Sequence, residues 1–299
     1  MTTTIEQTTE IRKQQVDKGA HGLYLARKAI SRGLIYLLLL LGSALYLFPF
    51  LWMIQTSLKD LSQVYIWPPV WFPKPLQWIN YPEAWEILPW ATFYLNTVKL
   101  AAIRIVGTVF SCTIAAYGFA RLRFPGRDFL FLVLLSTMML PGQVTMIPLY
   151  IWFTKLGWVN TLKPLTIPSF LGSAFFIFLL RQFFMTIPHE LDDAAKIDGC
   201  GFIRIFASVI LPLAVPAIGV VTIFTFTGSW NDFMGPLIYL SGIENYTIAI
   251  GLQWFNQSIG AHMPRLMAMG VVALLPQILL FFFTQKRMIQ GVTLTGMKQ

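Results

Sequence analysis

Residues 34–56 have the sequence LIYLLLLLGSALYLFPFLWMIQT, with no charged side chain. At a rise of 1.5 Å per residue, a helix of this length extends roughly 34 Å and can cross a hydrocarbon core of about 30 Å. The first 32 residues are polar, and no small-residue cleavage site closes the run. We therefore interpret the run as an uncleaved membrane anchor rather than a secretory signal peptide.

The composition of the whole chain agrees with a membrane protein. Of its 299 residues, 56% are hydrophobic and only 12% are charged, whereas soluble domains carry about 25% charged residues. A soluble protein could not hide this much apolar surface. Cys112 and Cys200 lie in different kinds of segment, which argues against a disulfide framework or a cysteine-based metal site. The net charge of +9 gathers at the ends of apolar runs, so it indicates topology and no nucleic-acid partner.

Six stretches are long and apolar enough to span a membrane, at 34–56, 96–120, 128–151, 165–185, 208–234 and 265–285. Prolines interrupt the third, fourth and fifth stretches, at Pro141, Pro148, Pro168, Pro212 and Pro216. Membrane helices tolerate such breaks where neighbouring helices or a watery cavity satisfy the freed carbonyls. The sequence predicts an all-α polytopic membrane protein with about six transmembrane helices. The predicted bundle covers 34–285, between terminal tails at 1–33 and 286–299.

The positions of lysine and arginine predict the orientation. With the N-terminus inside, fifteen of these cations fall on the cytoplasmic side and seven on the outer side. This bias is typical of cytoplasmic loops and predicts that both termini are cytoplasmic. In this orientation, eight tryptophans fall in or beside the outer loops: Trp67, Trp71, Trp78, Trp85, Trp90, Trp152, Trp158 and Trp254. They indicate an interfacial aromatic belt or, alternatively, a docking surface for an external partner or a stacking surface for sugar rings.

Between the fourth and fifth spans, residues 187–201 have the sequence IPHELDDAAKIDGCG. Pro188 suits a first helical turn, and the acidic residues that follow it favour the positive end of a helix dipole. Ala194 and Ala195 favour helix and keep its surface narrow. Gly199 can end the helix in the left-handed conformation. The sequence thus predicts a short, narrow helix on the cytoplasmic side, suited to enter a groove of another protein.

This segment resembles the EAA loop of ABC importer permeases, with the loop extending over 187–207. The spacing of that loop is matched here by Asp193-Ala194-Ala195, then three residues and Gly199, then nine residues and Val209, then one residue and Leu211-Pro212. Further pieces resemble the carbohydrate-importer branch, the maltose-permease-like second subunits: 120–127, Asn80-Tyr81, 147–150, 230–233 and the tail residues Gly291, Thr293, Gly296 and Lys298. Two departures are Asp193 at the usual glutamate and Cys200 at a common alanine.

The resemblance implies a type I ABC importer permease fold and an inner-membrane subunit that moves a carbohydrate, an oligosaccharide that could be anionic, by alternating access. It implies a second homologous permease, two ATPase subunits and an extracytoplasmic substrate-binding protein as partners. The loop would be the ATPase-coupling element, carried by Glu190, Asp193, Ala194, Ala195, Asp198, Gly199, Leu211 and Pro212. No G-x-x-x-x-G-K-[ST] loop occurs in the sequence, so ATP and Mg are expected on the separate ATPase, with no catalytic residue, cofactor or metal on this chain.

Polar residues inside the spans are candidates for the substrate path. Arg104 either extends its cation to the headgroups or faces a cavity and meets an anionic group of the substrate. The other candidates are Gln143, Trp230, Asn231 and Asp232. Their side chains suit sugar binding and, equally, hydrogen bonding between helices. An ion-gradient-driven secondary transporter is the alternative. It predicts paired carboxylates at mid-membrane, and Asp232 is the one residue that comes close.

Overall fold

The structure is a computed structural model that describes the backbone of residues 2–258 and 262–296 and the side chains of residues 28, 30–258 and 262–284. All the regular secondary structure of the described part is helical, with no strand. Its α-helices are α1 Thr2–Ser57, α2 Leu61–Val64, α3 Asn80–Ile87, α4 Trp90–Arg121, α5 Arg127–Ser136, α6 Gly142–Lys155, α7 Lys163–Thr166, α8 Ala174–Thr186, α9 Glu190–Ile197, α10 Phe202–Ile205, α11 Leu211–Leu213, α12 Val215–Trp230, α13 Met234–Tyr239, α14 Ile248–Ser258 and α15 Met263–Gly296.

Four of these segments are individually long and apolar enough to cross a membrane, over Ile30–Ser57, Trp90–Arg121, Lys163–Thr186 and Met263–Thr284. Two bent pairs bring the number to six if each pair forms one span, Arg127–Met139 with Gly142–Lys155 and Phe202–Leu213 with Val215–Trp230. The prediction of about six spans agrees with the upper figure. Most predicted tail residues, at 1–33 and 286–299, lie outside the described side chains.

Prolines account for both sharp bends. The chain turns by 95° between α5 and α6, where Leu140 before Pro141 adopts an extended conformation. A residue before proline avoids the helical region because it clashes with the proline ring, so the helix ends there. The 76° bend before α12 lies beside Pro216, which cannot donate a backbone hydrogen bond to the preceding turn. Ahead of it, Phe206–Ile210 widens into a π-helix.

Helix α4 is the centre of the bundle and packs along α8 and α12. Gly107 allows the closest approach, because a Cβ atom there would lie 2.3 Å from Ser169 Oγ and 2.7 Å from the Phe170 ring. One apolar core lies around Leu180, Phe184 and Val221, towards the end that carries α9. A second core lies towards the opposite end and contains Trp90, Phe93, Trp230 and Phe255.

The Asn80-Tyr81 pair closes the end of α1. The Asn80 side-chain amide is buried and donates to the carbonyls of Ser57 and Lys59, each at 2.9 Å. The Tyr81 hydroxyl lies 2.8 Å from Ser57 Oγ. Trp90 differs from the aromatic belt predicted for the outer-loop tryptophans, because it is fully buried and its indole N–H donates to the Ala84 carbonyl. Trp67, Trp71, Trp78 and Trp152 are exposed, as a belt requires.

Candidate functional site

Helix α9 is the predicted short helix of the EAA-like loop, and it spans eight residues, Glu190–Ile197. Glu190, Asp192 and Asp193 occupy its first turn and Lys196 its last, which complements the helix dipole at both ends. Lys196 Nζ donates to Asp193 Oδ1 at 2.9 Å. This hydrogen bond, followed by the attraction of the ammonium, lowers the pKa of the Asp193 carboxyl below its ordinary value.

The end of α9 is closed by its own backbone. Gly199 has φ +78°, in the left-handed region, as the sequence predicted. The Cys200 N–H donates to the Ala195 carbonyl at 2.9 Å, and the Gly199 N–H donates to the Lys196 carbonyl at 3.0 Å. These two bonds together form a Schellman motif, which satisfies carbonyls that a helix end otherwise leaves free.

Arg121, the last residue of α4, fixes α9 to the bundle. Its guanidinium donates to the Ile187 carbonyl at 2.6 Å, lies 2.8 Å from His189 Nδ1 and pairs with Asp192 Oδ2 at 3.4 Å. The Arg121 and Asp192 side chains are only 1% and 8% exposed. A buried, multiply bonded ion pair of this kind sets a specific geometry, because either charge alone would be costly at this depth. These contacts tie α9 and the segment before it to the end of the central helix, α4.

Helix α9 and the next helix, α10, both carry exposed apolar side chains. Ile197 is 87% exposed and Ile203 is 84% exposed, with Leu191 and Phe202 also exposed. Exposed apolar residues grouped beside charged ones are typical of a protein interaction site. We call Leu191, Ile197, Phe202 and Ile203 the α9 apolar patch.

The predicted coupling residues divide between two environments. Glu190, Asp193, Ala194, Asp198 and Gly199 are exposed on α9 and its cap, while Ala195 is buried against the bundle. Leu211 and Pro212 lie in α11, beyond the π-helical segment. Arg121 and the apolar patch were not predicted as parts of this site. The patch could have been found from sequence, because its four large apolar residues lie in a connector that is predicted to be outside the membrane, whereas the spacing gave no indication of the Arg121–Asp192 pair.

Arg104 and Asp232, which the sequence predicted separately for the substrate path, form an ion pair. Arg104 Nη1 lies 2.9 Å from Asp232 Oδ2, and both side chains are about one-fifth exposed, 20% and 21%. Arg104 Nε donates to the Leu165 carbonyl at 2.5 Å. The other carboxylate oxygen, Oδ1, accepts the Gly235 N–H at 3.0 Å. The pair thus joins α4, α7 and the break between α12 and α13, and each charge is neutralised by the other.

Of the remaining predicted path residues, Trp230 and Asn231 line one cavity, whereas Gln143 does not contribute to it. Trp230 is buried, and its indole N–H donates to the Ala273 carbonyl at 3.0 Å. Gln143 is exposed in the first turn of α6. Asn231 is exposed at the end of α12, where its amide donates to the Thr227 carbonyl and its Oδ1 accepts a bond from Gln277.

A cavity of about 530 Å³ opens beside Asn231, at the end of α12 far from α9. Its walls come from α1, α12, α14 and α15, and much of the lining is apolar. Four carboxamide side chains also line it: Asn231, Gln253, Asn256 and Gln277. Volume and composition fall within the range of ligand pockets, which are mostly apolar with a few placed polar groups.

These features define a polytopic helical membrane protein with a short helix held against one end of the bundle and a largely apolar, amide-containing cavity towards the other. The comparisons give its family: residues 107–293 match the binding-protein-dependent transport system inner membrane component. The chain belongs to this family and is a permease subunit of an ABC importer.

Curated relatives match over most of the chain. The probable ABC transporter permease protein YurM of Bacillus subtilis is 32% identical and covers 84% of this chain and 83% of its own length. The arabinooligosaccharides transport system permease protein AraQ of the same species is 32% identical, covering 90% and 97%. The sn-glycerol-3-phosphate transport system permease protein UgpE of Yersinia pestis is 30% identical, covering 86% and 94%.

A solved structure has the same fold. It is a bacterial ABC transporter involved in the import of the acidic polysaccharide alginate. The matched chain superposes with a TM-score of 0.76 at 22% identity, over 85% of this chain and 95% of its own. The expected fold, an all-helical ABC importer permease, is confirmed.

Proposed function

We propose that this permease imports a carbohydrate and that α9 is the point at which a separate ATPase drives it. The observation that carries the coupling role is the α9 apolar patch, exposed on α9 and α10 at the end of the bundle where Arg121 binds α9. The carbohydrate class is supported by similarity to AraQ and UgpE, which are named for arabinooligosaccharide and sn-glycerol-3-phosphate transport.

The assembly contains a second, homologous permease, two ATPase subunits beneath them and an extracytoplasmic binding protein on the other side. ATP and Mg bind to the ATPase chains. Closure of the ATPase pair pushes α9, Arg121 passes the displacement to α4, and the bundle changes the side to which its cavity opens. Both termini and α9 face the cytoplasm, an orientation supported by the distribution of lysine and arginine.

A gradient-driven secondary transporter is not favoured. Such carriers place ionisable groups on the ion path, whereas both oxygens of Asp232 are engaged, by Arg104 and by the Gly235 N–H. Family membership points the same way, since the matched family is that of binding-protein-dependent systems.

The coupling role is tested by placing a charge in the patch. Ile197→Asp and Ile203→Asp in the assembled complex should each reduce co-purification of the ATPase by about tenfold or more, because a buried unpaired carboxylate opposes the interface. Leu61→Asp, at an exposed leucine remote from α9, is the matched control and should not change it. Normal ATPase recovery with both patch variants would contradict the proposal.

A further inference from the structure

The cavity beside Asn231 differs from the rest of the bundle in its side-chain chemistry. Gln253 and Asn256 are three residues apart on α14, so their carboxamides share one face of that helix. Gln277 of α15 completes the group and donates to Asn231 Oδ1 at 2.8 Å. We call Asn231, Gln253, Asn256 and Gln277 the amide cluster.

The amide cluster has unused hydrogen-bonding capacity. Each carboxamide offers two N–H donors and an oxygen that accepts two bonds. The exposed side chains of Gln253 and Asn256 make no hydrogen bond to any residue that the structure describes, and the side-chain oxygen of Gln277 accepts none from these residues. Donors and acceptors in this mixture match hydroxyl groups, which both donate and accept.

The cavity lining is uncharged. None of its fifteen described residues is Asp, Glu, Lys, Arg or His. The nearby carboxylate, Asp232, is paired with Arg104 and capped by the Gly235 N–H, so neither charge of the pair is available to a ligand. An anionic group that entered this cavity would find no cation in the lining to offset the hydration that it gives up, whereas an uncharged group has no such need.

We propose that the amide cluster is a substrate-binding site of this permease and that it takes uncharged, polyhydroxylated rings, as in a neutral oligosaccharide, rather than acidic or phosphorylated sugars. The inference rests on the proposed carbohydrate function and narrows it. Similarity alone does not choose between the two classes, since AraQ is named for arabinooligosaccharides and UgpE for a phosphorylated polyol. The apolar walls, including Leu252 and Leu266, suit the C–H faces of sugar rings.

The first arm of the test compares two pools of radiolabelled compounds in cells that carry the complete importer. One pool contains neutral pentose and hexose oligosaccharides, and the other contains uronate oligosaccharides together with sn-glycerol 3-phosphate. We expect uptake from the neutral pool that depends on this chain. Uptake from the acidic pool alone would overturn the inference and leave the carbohydrate function standing, whereas uptake from neither pool would contradict both.

The second arm tests the site with the imported neutral oligosaccharide. Gln253→Leu and Asn256→Leu should each raise the substrate concentration for half-maximal uptake by about tenfold, since a substrate hydroxyl then loses its hydrogen-bond partner. Gln257→Leu is the matched control, because Gln257 is an exposed glutamine of the same helix outside the cavity lining. Equal half-maximal concentrations for the control and both cluster variants would overturn the assignment.

Discussion

Replacing Arg121 by methionine should loosen α9 without unfolding the bundle. The substitution leaves the Asp192 carboxylate, 8% exposed, without its cation, and Asp192 Oδ1 has no hydrogen-bond partner even in the native chain. Breaking a buried pair from one side costs about 3–5 kcal/mol. A helix of eight residues opens more easily than the bundle, so we take the lower end of this energy range for the local opening of α9. Amide exchange over 190–197 should accelerate on the order of a hundredfold, measured by mass spectrometry on the purified complex.

Two further variants make this prediction specific. Arg123→Met removes an exposed cation two residues away that has no ion pair with the described residues, and it should leave exchange unchanged. Adding Asp192→Leu to Arg121→Met removes both buried charges and should restore most of the protection, because an apolar pair of similar bulk replaces the ion pair with little loss. The reasoning is refuted if Arg121→Met behaves like Arg123→Met, or if the double variant exchanges as fast as the single one.

Four other changes probe separate features, with thermal unfolding of the detergent-solubilised complex as the common measurement. Gly199→Val should lower the free energy of unfolding by about 1–2 kcal/mol, because the φ of Gly199 is +78°, and Gly199→Asn should lower it much less. Equal losses for the two variants would contradict the left-handed cap. Asn80→Leu leaves two carbonyls unpaired and should cost about 1–3 kcal/mol, while an unchanged midpoint would argue against the clamp. Arg104→Met should lower the unfolding midpoint more than the double change Arg104→Met with Asp232→Leu does, because the single change leaves one charge unpaired. The reverse order would contradict the ion pair. Burial lowers the pKa of Lys59 in the folded chain, so the unfolded chain binds the proton more tightly. The free energy of unfolding therefore rises as the pH rises towards the ordinary lysine pKa. Lys59→Met should flatten that rise, and a pH profile identical to that of the native chain would refute the effect.

Local chemistry made much of the fold accessible from sequence. The apolar run at 34–56 predicted a span because its length and lack of charge have one physical interpretation in lipid. The prolines predicted interruptions, and the bends occur beside Pro141 and Pro216. Gly199 predicted the end of α9 because few other residues tolerate the left-handed region. Each of these signals acts within a few residues of its cause.

The pairings that define the sites act across long sequence separations and were not predictable in this way. Arg104 and Asp232 are 128 positions apart, and each alone was a reasonable candidate for binding substrate. Trp230 looked like a stacking surface beside polar neighbours, but its N–H is already committed to Ala273 on α15. A single sequence does not show which polar groups bond to one another, and the grouping of Gln253 and Asn256 with Asn231 and Gln277 around one cavity becomes visible only in the folded bundle.

The Schellman motif at the end of α9 bears on the thermodynamics of assembly. Since Gly199 and Cys200 complete the backbone bonding of the helix within the subunit, its conformational entropy is lost when the permease folds, before any other chain arrives. Association then resembles the meeting of two preorganised surfaces, in which little affinity is spent on ordering a segment. In the coupling role proposed for α9, a helix that is already ordered in the free subunit would pass on a displacement without first having to fold.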